Sequence, residues 1–371
     1  MHKFDEKSEA KNEDLALMKI AGCKGLGPVK GFQLIQRFGS PTKVLSLKRQ
    51  GFESIRGLQP VVYDHLHCSG LQRKVEKEYL YLKTKGIEMI SRWDPNYPKL
   101  LKLCGDAPLI LFVKGQLVWK EMEALSIVGT RTMTHSGRAL VRRLLSELSS
   151  FNVCTVSGLA LGVDREVHYE SIRSKVPTIA VLGHGFKHLY PKRNVALARE
   201  ILQNGCLITE FWSDQGPIAG NFVKRNRIIA GMSQATVVVE SAEKGGALIT
   251  AGMAHSYNRE VYAFPGRPTD VYSQGCNSLI QNQVARMLVK PKDLFDDLAW
   301  KPVASKKSFV MPELSTEAEA LFRTLSIEKA QSTDELAGAL NWPVQKVLIF
   351  MTELEMEDLV GRDVFGNYFK K

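Results

Sequence analysis

A chain of 371 residues, 44% hydrophobic and 24% charged, has the balance of an ordinary globular protein and the length for two or three domains. Fifty Lys and Arg against 39 Asp and Glu leave a formal charge of +11, which favours a polyanionic partner such as nucleic acid or a membrane surface. The first residues are charged and no apolar run is long enough to span a bilayer, so the expectation is a cytoplasmic protein without membrane contact. The charge is unevenly spread: residues 301–371 carry 9 basic and 11 acidic side chains, leaving 41 and 28 in the first 300. A polyanion site therefore belongs outside the C-terminal segment. Six cysteines stand singly, with no Cys-x-x-Cys pair, and read as buried free thiols rather than disulfides or zinc ligands.

In chain order, residues 1–12 are polar and read as a disordered start. Leu15, Leu17, Met18 and Ile20, then Phe32, Leu34, Ile35 and Phe38, recur at helical spacing around Gly25-Leu26-Gly27-Pro28 and predict a small helical domain over 13–78. That Gly-x-Gly turn is of the kind that offers N–H groups to a phosphate in helix-hairpin-helix modules, and equally a tight turn that needs glycine for steric reasons. A helix over 71–85, a proline-rich connection at Trp93-Asp94-Pro95-Asn96-Tyr97-Pro98 and a strand at 109–113 lead into a second domain, set at 79–298. There, short β-branched runs at 125–128, 153–156, 178–182, 207–210, 236–240 and 261–264 alternate with amphipathic helices. The alternation predicts an α/β domain whose mostly parallel sheet is covered on both faces. Gly129, Gly158, Gly183, Gly185, Gly245, Gly246 and Gly266 follow the strands, at the sheet edge where ligands bind. After a linker at 299–311, residues 312–371 offer three helices and a strand pair turning at Gly366-Asn367, the order of a winged helix.

The loops lack several fingerprints. There is no G-x-x-x-x-G-K-[ST], no Gly-x-Gly-x-x-Gly after the first strand, no His-Glu-x-x-His and no Gly-x-Ser-x-Gly. Asp164 and His168 stand one helical turn apart, as an acid–base pair or as a helix cap with a neighbouring histidine. What the loops do carry is Gly129-Thr130-Arg131, Ser157-Gly158, Tyr190-Pro191-Lys192-Arg193-Asn194, Arg225-Asn226-Arg227 and Lys244-Gly245-Gly246-Ala247-Leu248-Ile249-Thr250. Glycines let backbone N–H groups approach an anion, and arginine adds planar paired hydrogen bonds to phosphate. Phe222, three residues before Arg225, is placed either to stack a base or to pack inside. The expected binding residues are thus Gly129, Thr130, Arg131, Ser157, Gly158, Lys192, Asn194, Phe222, Arg225, Asn226, Arg227, Gly246 and Thr250, with no metal, cofactor or catalytic group.

These motifs, in this order, resemble the DprA/Smf family. The resemblance is carried by Ser126-Ile127-Val128-Gly129-Thr130-Arg131, Ser157-Gly158-Leu159-Ala160 with Gly162 and Asp164, Tyr190-Pro191-Lys192, Arg225-Asn226-Arg227-Ile228-Ile229-Ala230-Gly231, Gly246-Ala247-Leu248-Ile249-Thr250-Ala251 and Phe264-Pro265-Gly266. It implies an extended Rossmann-like, doubly wound sheet, a sterile-alpha-motif-like N-terminal domain and a C-terminal winged helix. It further implies a homodimer that binds single-stranded DNA and loads the recombinase RecA onto it in natural transformation, with Arg131, Lys192, Arg225 and Phe222 as the leading DNA contacts. Ala247 departs from the family's usual serine and removes one hydroxyl donor from its loop.

The same loops also fit a different class of function. Rossmann-like phosphoribohydrolases also use a Gly-Gly-x-x-x-Thr loop, and Glu240 is available as a carboxylate, although Lys244 stands where those enzymes have proline. The winged segment has few basic residues in 344–353, which points to protein contact or regulation rather than duplex reading.

Overall fold

A computed structural model of the chain describes residues 2–303, 314–326, 330–357, 359–363 and 366–370. Six helices come first: α1 (His2–Gly22), α2 (Pro28–Phe38), α3 (Pro41–Leu45), α4 (Arg49–Glu53), α5 (Pro60–His67) and α6 (Ser69–Lys85). The stretch expected to be disordered is instead the first half of α1. Its Glu, Lys and Ala are helix formers uninterrupted by glycine or proline, so the helix extends outward from the buried turn at Leu17, Met18 and Ile20.

The strands and helices that follow are β1 (Glu88–Ser91), α7 (Lys99–Lys102), β2 (Ile110–Gly115), β3 (Glu123–Val128), α8 (His135–Leu148), β4 (Val153–Ser157), α9 (Val163–Arg173), β5 (Thr178–Val181), α10 (Val195–Ile201) and β6 (Gly205–Thr209). Then come α11 (Ala219–Met232), β7 (Ala235–Val238), α12 (Gly246–Ser256), β8 (Glu260–Ala263), α13 (Gln274–Gln281), β9 (Arg286–Met287) and α14 (Pro291–Asp297). Among the described residues they form a nine-stranded sheet in the order β1-β2-β6-β5-β4-β3-β7-β8-β9. From β6 to β9 every pairing is parallel, whereas β1 and β2 add an antiparallel edge. Every residue of β4, β5, β6 and β7 is buried, as strands covered on both faces require. One core layer joins Val128, Val156 and Val181 to α11 and α12, and the other joins Leu125 and Ile127 to α8 and α14.

The chain runs outward from β3 through β4, β5 and β6, then returns to lay β7 on the opposite side of β3. The ends of β3 and β7 therefore diverge into helices on different faces, a topological switch point. The six strands expected between 125 and 264 are all present and parallel.

The N-terminal helices do not form a separate body. Trp212 and Phe112 share a hydrophobic cluster with Met18, Leu34 and Val75, and Glu78 of α6 accepts hydrogen bonds from Ser213 N (2.8 Å) and Oγ (2.6 Å). Residues 1–303 accordingly make one compact unit, with no division at 78/79. Nor does a linker begin at 299. Trp300 Nε1 donates to Gln234 Oε1 at 2.7 Å, and Pro302 bridges to Phe151. The rest of that expected linker, 304–311, lies outside the described residues.

The second unit, Ala304–Lys371, contains α15 (Thr316–Thr324), α16 (Thr333–Leu340), α17 (Val344–Met356), β10 (Val360–Arg362) and β11 (Tyr368–Lys370). Leu321, Leu336, Val347, Met351 and Tyr368 build its core, and the antiparallel β10–β11 pair completes a winged helix. The six cysteines are free, and five of them are buried. No helix among the described residues is long and apolar enough to cross a membrane.

His168 on α9 is fully buried; its Nδ1 meets Thr178 Oγ1 at 2.7 Å and burial pushes its pKa down from 6.5 to about 3. The folded protein keeps this ring neutral where the unfolded chain would protonate it, so its contribution to stability is complete above pH 6.5 and is lost as pH falls toward 3. In urea titrations between pH 7 and pH 5, the wild type should lose more stability than His168→Gln. Parallel losses would show that the ring is protonated in the folded state.

Candidate functional site

The switch point opens into a cleft of about 530 Å³, walled by the loop after β3, the loop after β7 and the first turns of α11 and α12. Thr130 N donates to Glu240 O at 2.8 Å and Val163 N to Thr130 O at 3.1 Å, which pins the β3 loop between neighbouring elements. Gly129 is required by close approach: a side chain there would strike Val163. Arg131 stands exposed at the rim.

Neither α11 nor α12 has a side-chain cap, and the first residues of both line the cleft. Their unpaired N–H groups and the positive ends of two helix dipoles thus converge on one space. Beneath them lies Arg225, only 4% exposed. Its Nη1 donates to the carbonyl of Val181, and its Nε has no partner among the described residues. Burial lowers its pKa to about 10; the Asp164 carboxylate opposes that shift and Arg131 adds to it. The cleft therefore holds more positive charge and more hydrogen-bond donors than the protein itself satisfies, the condition for binding an anion.

Thirteen residues were expected here. Gly129, Thr130, Arg131, Phe222, Arg225, Asn226, Gly246 and Thr250 line the cleft together. Phe222 is half-buried, with its ring 5.7 Å from that of Tyr190 and inclined by 52°. Tyr190 is 47% exposed and also lines the cleft, although from its loop only Lys192 and Asn194 were expected there. An aromatic side chain beside Pro191-Lys192 was the signal available.

Five expected residues do not line it. Ser157 is buried and donates to Ile127 O at 2.7 Å, and Gly158 lies against the Arg225 guanidinium. Asn194 is buried too, its Nδ2 donating to Leu159 O (2.9 Å) and Ala160 O (3.3 Å), so it positions a loop. Lys192 is exposed on a 3-10 turn beside the cleft. Arg227 points away: residues 225 to 227 form part of α11 rather than a loop, and two residues along a helix is a rotation of about 200°. Arg227 pairs instead with Glu210 and lines a different cleft.

The carboxylates are engaged. Asp164, in the first turn of α9, accepts from the backbone of Gly158 and of Ala160 (3.4 Å), and burial raises its pKa. His168 turns to Thr178 instead of to Asp164. Glu240 accepts from Thr134 N at 2.9 Å and from the Thr134 hydroxyl at the start of α8. No cluster of His, Cys, Asp or Glu able to hold a metal occurs among the described residues.

Residues 88–299 match the sequence-family model described as DNA recombination-mediator protein A, and residues 307–363 match the DprA winged helix domain. DNA processing protein DprA of Bacillus subtilis (strain 168) is 36% identical over 260 residues, covering 68% of this chain and 87% of that protein. The X-ray structure of DprA from Streptococcus pneumoniae superposes with a TM-score of 0.65 at 28% identity, covering 77% of this chain and 97% of that one. DNA processing protein A from Helicobacter pylori, whose structure describes a unique single-stranded DNA binding mode, gives 0.52 at 26% identity over 57% of this chain and 95% of that one.

A methyl group at Gly158 would run into the Arg225 guanidinium, whereas one at Gly252, in α12, meets nothing. Gly158→Ala should destabilise the protein by ~1–3 kcal/mol, and Gly252→Ala should be neutral or slightly stabilising. Equal denaturation midpoints for the two variants would contradict this placement of Arg225.

Proposed function

Because the chain belongs to the DprA/Smf family, described as DNA recombination-mediator protein A, we propose that it binds single-stranded DNA in the switch-point cleft and delivers the strand to a RecA recombinase. The observation that carries this reading is Arg225, a buried cation with a donor unmet among the described residues, where two uncapped helix N-termini meet. Such a site addresses phosphate, which every nucleotide carries, and so holds a strand without reading its sequence.

The aromatic pair Tyr190 and Phe222 supplies the second ingredient, a surface on which any base can stack. Arg131 and Lys192 at and beside the rim add exposed charge along a backbone path. The similarity to the Helicobacter pylori protein supports single-stranded DNA as the ligand. Delivery to RecA, a homodimeric assembly and a cytoplasmic setting extend the same family reading.

We read the cleft as a cradle without catalysis. Asp164 is occupied by backbone donors and Glu240 by Thr134, so the carboxylate a phosphoribohydrolase would need is already engaged. Release of free base from nucleoside monophosphates would overturn that view.

Binding of an oligothymidylate should weaken steeply with salt, by a log–log slope of about −0.7 for each phosphate contacted. Arg131→Ala should make the slope shallower. Phe222→Ala should lower affinity roughly five- to 150-fold, the range expected for loss of one stacked base. Unchanged affinity in both variants would move the site off this sheet edge. The delivery step is read separately, from the lag before RecA filaments form on a strand: the chain should shorten it, and an unaltered lag would remove RecA from the proposal.

A further inference from the structure

Helix α11 has a second cleft on its other side, also of about 530 Å³, between the N-terminal helices and the end of β6. Its apolar walls include Leu26, Pro28, Phe211, Trp212 and Met253, and its polar lining includes Arg227 and Glu210. Arg227 is 8% exposed; its Nη2 pairs with Glu210 Oε2, while its Nη1 and Glu210 Oε1 have no partner among the described residues. A donor and an acceptor side by side among apolar walls complement the Watson–Crick edge, where every base carries at least one of each.

The two clefts adjoin. Val223, 44% exposed and the fifth residue of α11, lines both. Its neighbour Lys224 is exposed and lines the second cleft, as does Gly27. Gly27 begins α2 with no side-chain cap and with open space where a side chain would stand; Pro28 carries no N–H, so the free amides at the start of that 11-residue helix are those of Val29 and Lys30. The other charges are accounted for. Asp106 accepts from the Tyr257 hydroxyl at 2.7 and 2.9 Å, and Lys74 pairs with Asp214 at 3.5 Å while lying over the Trp212 ring.

We propose that the second cleft takes a neighbouring nucleotide of the strand held in the first, its base edge toward Arg227 and Glu210 and its phosphate toward Lys224 and the start of α2. The inference rests on the single-strand reading above. It gives the glycine turn of the N-terminal helices a ligand, and it makes α11 a partition over which the strand passes at Val223.

The test uses the full chain and oligothymidylates from about 3 to about 20 nucleotides, bracketing the usual site sizes of single-strand binders. Wild-type affinity should rise in a step once the strand is long enough to cross Val223. Lys224→Ala should abolish the step and reduce the salt slope for long strands by about 0.7, leaving the shortest bound strands unaffected. Gly27→Asp, a favoured helix cap that preserves α2, should abolish the step as well. Arg131→Ala differs by weakening every length. If Lys224→Ala and Gly27→Asp bind all lengths as the wild type does, the second site is wrong and the first stands. If the wild type binds no oligonucleotide, the single-strand reading falls and this inference falls with it.

Discussion

The guanidinium of Arg225 sits under the end of a parallel sheet, almost wholly out of water, with the Val181 carbonyl as acceptor and Nε unmet among the described residues. Placing a charge there is unfavourable unless neighbours compensate, and much of the site consists of that compensation. Gly158 leaves room for the group, Asp164 favours its charge, and Asn194 ties down the loop between them. An anion bound as proposed would supply the compensation that remains. An anion entering the cleft would meet Arg225, the β3 loop and two helix starts at once.

The position proposed for that anion follows from topology. Only where β3 and β7 send their following segments to different places does the sheet edge open, so the glycine loops of both strands face one space. A parallel sheet needs helical crossovers, and each crossover begins with a helix N-terminus at this same edge. Backbone geometry alone thus concentrates donors here. The sequence adds glycines for close approach, one buried arginine and an aromatic pair.

Much of this was legible from residue patterns. The continuous apolar runs that became β3 to β8 could be found because strands buried on both faces leave no polar alternation to confuse them. The cleft residues next to strand ends, Gly129 to Arg131 and Gly246, were legible for the same reason. The failures share a cause as well. Ser157, Asn194 and Arg227 have the right chemistry for a phosphate, but their direction depends on helix phase and on loop closure that spacing does not encode. β1 and β9 were missed because they are short edge strands, of four and two residues, in which the exposed Glu88 and Arg286 interrupt the apolar run. The N-terminal helices looked like a separate domain because their union with the sheet runs through Trp212 and Glu78, 134 residues apart in the chain.

The most direct measurement is a crystal structure of the protein with a short oligothymidylate. A phosphate should lie within hydrogen-bond distance of the Arg225 guanidinium and the first amides of α12, with a base against Phe222 or Tyr190. A strand bound elsewhere, with the switch-point cleft empty, would contradict it.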